Sequence, residues 1–229
     1  MFIDPLYIIM IIPALLLSVY AQFKVKSVYG KFSKVPSARG LSGAQAARMI
    51  LEAQGIRDVK IEMGKGFLSD HYDPRGKVLR LSGDVYGGYS LASVGVAAHE
   101  AGHAIQHAQG YIPLKLRSAI VPVATVGSKL AWPLLIIGFI FMSKSLISAG
   151  IIFFSAAVLF QLVTLPVEFD ASIRALRALP ATGVLVDSEV QGARKVLSAA
   201  AMTYVAAAAA AVLQLLYFLL RAGFLGGDE

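Results

Sequence analysis

The stretch His99-Glu100-Ala101-Gly102-His103 spells H-E-x-x-H. On an α-helix, positions i and i+4 stand one above the other on one face, so both imidazoles can reach a single ion. Neutral histidine nitrogen suits zinc, and a catalytic zinc centre uses three protein ligands and leaves a fourth position open to water. Glu100, beside the first histidine, is placed to act as general base. The surrounding pattern predicts a helix from about Leu91 to Ala108, with Ser90 as N-cap and with Gly110 and Pro113 closing it. The remaining face of that helix, Ala92, Val96, Ala97, Ala101, Ala104 and Ile105, is small and apolar, as in a helix packed inside a domain.

Upstream of this helix, Ser42-Gly43-Ala44-Gln45 reads as a capping box opening a helix whose apolar stripe is Ala46, Ala47, Ile50, Leu51 and Ala53, ending at Gly55. Val59 to Met63 alternates like a short strand. Asp73-Pro74-Arg75-Gly76 is a turn, and Lys77 to Leu81 forms the second arm of a hairpin. A strand just before the metal helix is expected to border the substrate cleft, where it can pair with an extended peptide. Residues 23–118 thus read as a small α+β, zincin-like domain.

The rest of the chain is of another kind. With 57% hydrophobic and 15% charged residues, the protein is too apolar for an ordinary soluble domain. Apolar runs at Pro5–Ala21 and at about Ile120–Met142, Leu146–Val167 and Ala199–Leu220 are long enough to span a bilayer. Lys129 is the one cation near the middle of such a run, either snorkelling, facing the bundle, or a sign that the span starts later. The expected fold is a mainly α-helical integral membrane protein with four transmembrane helices. Residues 1–22 form an anchor, 23–118 the cytoplasmic domain, and 119–229 three further spans with a polar 168–198 loop.

Charge sets the orientation. Residues 23–118 hold fourteen Lys/Arg against seven Asp/Glu, and together with 168–198 they contain eighteen of the twenty-one basic residues. By the positive-inside rule both segments face the cytoplasm and both termini lie outside. The same distribution reads the net charge of +7 as juxtamembrane, with no nucleic-acid partner. The chain has no cysteine, so any metal must be held by His, Asp or Glu.

Two residues compete for the third ligand position. His107 continues the histidine stripe, but one helix cannot wrap three ligands around a tetrahedral ion, and the glycine turn that lets nearby third histidines do so is missing. Glu168 lies where the third span ends, and coordination to a cation would offset the cost of a carboxylate at that junction. A glutamate from a second helix completes a His-His-Glu set, so His99, His103 and Glu168 are the expected ligands of one catalytic Zn2+. Asp170 is a candidate hydrogen-bond partner for a zinc histidine, and His107 a cleft-lining residue. His71 and Tyr72, on the hairpin, are candidate oxyanion donors.

The words Ala97-Ala98-His99-Glu100-Ala101-Gly102-His103-Ala104-Ile105-Gln106-His107 and Leu165-Pro166-Val167-Glu168-Phe169-Asp170-Ala171-Ser172 resemble the YugP-type neutral zinc metallopeptidases of bacterial membranes. Ser69-Asp70-His71-Tyr72-Asp73-Pro74-Arg75 and Val78-Leu79-Arg80-Leu81-Ser82 look like that family's upstream segment. More distantly the chain resembles the HtpX class of membrane proteases, where E-x-x-x-D follows H-E-x-x-H. Glu168 matches that Glu, whereas Ser172 stands where that class has Asp. The resemblance implies a gluzincin-like endopeptidase in the bacterial cytoplasmic membrane, acting on protein or peptide substrates beside the lipid bilayer. In that reading Glu100 activates a water held by zinc. The alternatives are a site-2-type intramembrane protease, or a non-catalytic, zinc-stapled adaptor. An oligomer or adaptor partner is compatible with each.

Overall fold

A computed structural model of the chain describes residues 4–66 and 69–223. The Gly226–Glu229 tail, expected outside the membrane, lies outside the described residues. In chain order the elements are α1 (Pro5–Phe32), α2 (Gly43–Ala53), β1 (Lys60–Met63), β2 (His71–Asp73), β3 (Val78–Leu81), α3 (Gly83–Tyr86), α4 (Leu91–Ala108), α5 (Ile112–Ile140), α6 (Lys144–Ala181) and α7 (Asp187–Arg221). The described residues are mostly helical, with one small sheet. Helices α1, α5, α6 and α7 are each long and apolar enough to cross a membrane. They divide between two compact units, one made of Met1–Ala21, Lys115–Pro166 and Thr203–Glu229, the other of Gln22–Leu114 and Val167–Met202.

The first unit is built from the apolar lengths of these four helices. Leu135, Ile151 and Phe218 are buried at its core, and Trp132, Phe154 and Phe218 meet edge to face. Gly127 allows close approach of two helices here, since a Cβ in its place would stand 2.7 Å from the Phe153 carbonyl oxygen. Asp4 accepts a hydrogen bond from the Tyr217 hydroxyl at 3.1 Å, tying α1 to α7. Lys129 is exposed on α5.

The second unit contains all the residues that the sequence singles out for chemistry. Ser42 and Gln45 form the expected capping box at the start of α2, and Ser90 accepts from the Ser93 N–H at the start of α4. Ala46, Ala47, Ile50 and Leu51 of α2 pack with Val94, Ala97, Ala98 and Ala101 of α4, together with Leu79 and Leu81 of the sheet.

The sheet differs from the simplest reading of its pattern. Its order is β1-β3-β2, with β1 parallel and β2 antiparallel to β3. The Asp73–Gly76 turn does make a hairpin, whose first arm is His71–Asp73. Strand β3 is the last strand before α4, but its two edges are taken by β1 and β2, so it has no free edge on which a peptide could add. The outer edges belong to β1 and β2.

The 168–198 stretch, expected as a polar loop, is helical except for Thr182–Val186. The reason is a pattern of apolar residues at helical spacing: Ala171, Ala175, Ala178 and Leu179 on α6, then Val190, Ala193 and Leu197 on α7, all buried. Gly183, at φ +67°, ends α6, and the Leu185 N–H reaches back to the Leu179 carbonyl. Glu189 receives the Ala38 N–H and Arg39 donates to the Gly183 carbonyl, which fixes this turn against the segment that follows α1. Glu168 is therefore held on a rigid helix.

Helices α4 and α6 cross at Gly102. A Cβ there would stand 2.4 Å from the Ala171 carbonyl oxygen. Only glycine permits this approach, which brings the Glu168–Ser172 turn against the two histidines. Gly102→Ala is expected to force the helices apart at a cost of about 1–3 kcal/mol, as overpacking does. The check is a lower thermal unfolding midpoint of the purified protein in detergent; an unchanged midpoint would show that the crossing tolerates a methyl group.

Candidate metal centre

Helix α4 presents His99 and His103 one turn apart, with their rings 4.8 Å between centroids and nearly perpendicular. Glu168 reaches them from α6, its Oε2 lying 3.2 Å from His99 Nε2 and 3.6 Å from His103 Nε2. One atom from each of the three side chains lies within 4.8 Å of the others. With metal–ligand bonds of 2.0–2.2 Å, neighbouring ligand atoms of a tetrahedral zinc stand about 3.3 Å apart. The two observed separations straddle that edge, so the donor set fits zinc in both chemistry and spacing. Glu168 is only 3% exposed, a burial that a carboxylate sustains when cationic or hydrogen-bonding partners face it.

The far sides of the rings are also engaged. His99 Nδ1 lies 3.1 Å from Ser172 Oγ, and His103 Nδ1 lies 3.0 Å from Gln106 Oε1. Gln106, wholly buried, donates in turn to the Val167 carbonyl and to Asp170 Oδ2, both at 2.8 Å. Asp170 thus meets Gln106 and Arg174, not an imidazole as expected. Ser172 fills the position opposite His99. Gln106 is not among the expected site residues and Ser172 is noted only as standing where a related class has Asp, although i+3 spacing from His103 and i+4 spacing from Glu168 put each on the relevant face.

Burial alone would push the His103 imidazolium down; the Glu168 hydrogen bond and the Glu100 charge outweigh it and hold His103 above the ordinary histidine value. A cation must displace that proton, so its affinity should fall as pH is lowered. Glu100 is 8% exposed and makes no hydrogen bond or ion pair with another described residue. Its carboxylate remains available to a small molecule in the site.

Along α4 the residues that are not fully buried between Leu91 and His107 are Val96, His99 and His107, one stripe of the helix. His107 belongs to a different contact from the His-His-Glu group: its Nδ1 lies 2.8 Å from the Tyr72 hydroxyl. Burial, with Asp58 and Asp73 adding to it, pushes the Tyr72 phenol up to about 12, so it stays neutral and can donate at any physiological pH. His71, its neighbour on β2, faces away on the exposed surface and donates from Nδ1 to the Ser69 carbonyl at 2.7 Å.

A family model described as "Putative neutral zinc metallopeptidase" matches residues 7–223. The chain belongs to this family. It is also similar to the "Putative membrane protease YugP" of Bacillus subtilis (strain 168), with 50% identity over 224 residues, 98% of this chain and 99% of that protein. No solved structure matches. The family's zinc and the His99, His103, Glu168 group agree in the kind of ligand required. As a zinc metallopeptidase family member the chain should lose metal affinity on His103→Ala or Glu168→Ala, by about 100-fold or more, and keep it within a few-fold on His107→Ala. Competition with a chromophoric zinc chelator measures this; a strong loss on His107→Ala would move the centre along the helix.

Proposed function

We propose that this protein is an integral-membrane zinc endopeptidase that hydrolyses peptide bonds of protein substrates on the cytoplasmic side of the bacterial membrane. The observation that carries the reading is the buried Glu168 carboxylate facing two imidazoles, with the Glu100 carboxylate, which makes no hydrogen bond to another described residue, beside them on α4. His99, His103 and Glu168 hold the ion, within a zincin-like domain of α2, the sheet and α4. When bound, zinc supplies Lewis acidity, polarising a carbonyl and lowering the pKa of water.

The remaining work falls to side chains. Glu100 takes a proton from the attacking water on one carboxylate oxygen and delivers it to the nitrogen of the departing amine. The substrate chain lies along the accessible Val96–His99–His107 stripe, beside the outer edge of β2. Tyr72, a neutral phenol that keeps its own hydrogen free when its oxygen accepts from His107 Nδ1–H, is the donor best suited to a developing oxyanion. His71, turned to the outer surface, is poorly placed for that role. The three-ligand set and a Glu100 carboxylate free of hydrogen bonds to other described residues both favour catalysis over a structural zinc, which is usually closed by four protein ligands.

Glu100→Gln is expected to keep zinc while reducing cleavage of an unfolded or membrane-bound protein substrate by at least about 100-fold, the lower range of general acid–base contributions. Full cleavage by that variant would reject the mechanism. The orientation is testable because the chain lacks cysteine. A cysteine introduced at Ser143 should react with an impermeant maleimide on intact cells, and one at Thr182 only after lysis; the opposite pattern would invert the topology.

A further inference from the structure

We propose that Gln106, Asp170 and Arg174 form a positioning relay that locks the tautomer and ring orientation of His103 for zinc. The inference rests on the assignment of His103 as a ligand. Its starting point is the Gln106 side-chain amide, which is completely buried and has a partner for each kind of polar atom. Both donors of its NH2 group point to oxygens that can only accept, the Val167 carbonyl and Asp170 Oδ2. Flipping the amide would set Oε1 against those two oxygens and lose both bonds. The orientation is therefore determined, and Oε1 must be the atom that faces His103 Nδ1. A carbonyl oxygen only accepts, so Nδ1 carries the hydrogen and the Nε2 lone pair is left for a cation.

The relay extends outward to a charge. Asp170 is paired with Arg174 one turn later on α6. The Arg174 guanidinium also donates to Gln109 Oε1 and lies over the Tyr111 ring at 5.5 Å from its centroid. Arg174 thus anchors α6 to the C-terminal end of α4, and Asp170 transmits that anchorage to Gln106. His99 is supported differently. Ser172 is a hydroxyl, able to donate or accept, and so does not by itself choose a tautomer. Of the two histidines, His103 is locked and His99 is adaptable.

The test measures zinc affinity by chelator competition on the full-length protein in detergent for Gln106→Leu, Asp170→Ala, Asp170→Asn and, alongside them, His103→Ala. Gln106→Leu should weaken zinc binding about 10- to 100-fold, the range for loss of a group that orients a metal histidine. Asp170→Ala should weaken it about tenfold, and Asp170→Asn, which keeps an acceptor for Gln106, should restore most of that loss. Ring-nitrogen NMR of His103 in the zinc-loaded protein should show a single pattern, Nδ1 protonated and Nε2 without hydrogen, in the wild type and a mixture in Gln106→Leu. A merely structural role would change the unfolding midpoint and leave the tautomer alone. Wild-type affinity and a single tautomer in a folded Gln106→Leu protein would overturn the relay. If that variant does not fold, equal affinity of Asp170→Ala and wild type overturns it. Should His103→Ala also bind like wild type, the ligand assignment has failed; should it lose affinity while the Gln106 and Asp170 variants keep theirs, only the relay has.

Discussion

Burying the Glu168 carboxylate against His99 and His103 is the interaction on which the second unit depends. A carboxylate at 3% exposure must be met by groups that favour its charge, and here these come from another helix almost seventy residues earlier in the chain. Removing one side of a buried charge pair leaves the other uncompensated, at a cost of about 3–5 kcal/mol. Gly102 and Ala171 meet backbone to side-chain position so that the carboxylate can arrive. The H-E-x-x-H glycine is therefore part of the site's construction.

The same constraint explains why the site stands on helices. Glu168 is placed by the continuation of α6 beyond its apolar length, and α7 returns beside it after a five-residue turn. Ala175, Leu179, Ala193 and Leu197 sink into one core with α2, α4 and the sheet. Rigid elements hold a candidate donor set more accurately than a loop does, and the buried amide of Gln106 faces one of its members, His103. Glu100 makes no hydrogen bond or ion pair with another described residue, which suits the general-base role proposed for it.

Much of this was legible in the sequence because it depends on local spacing. The α4 helix from Leu91 to Ala108, its Ser90 cap, the α2 capping box and the four long apolar helices all follow from periodicity and capping chemistry. The approach of Glu168 to His99 and His103 was legible from the cost of a carboxylate at the end of an apolar run and from the His-His-Glu set that a second helix completes. The 168–198 stretch was misread because its charged residues, Arg174, Arg177, Arg194 and Lys195, mask an alanine-rich stripe that only a partner surface makes apolar in effect. Parallel pairing of β1 with β3 is a long-range choice that alternation in a four-residue strand cannot reveal. Gln106 escaped notice for a similar reason, since its importance lies in Val167 and Asp170, more than sixty residues away.

An anomalous-scattering map recorded at the zinc edge, on crystals grown with stoichiometric zinc, tests the central claim most directly. The account predicts a single peak within about 2.0–2.2 Å of His99 Nε2, His103 Nε2 and a Glu168 carboxylate oxygen. A peak on His107, or no peak at the His-His-Glu group, would contradict it.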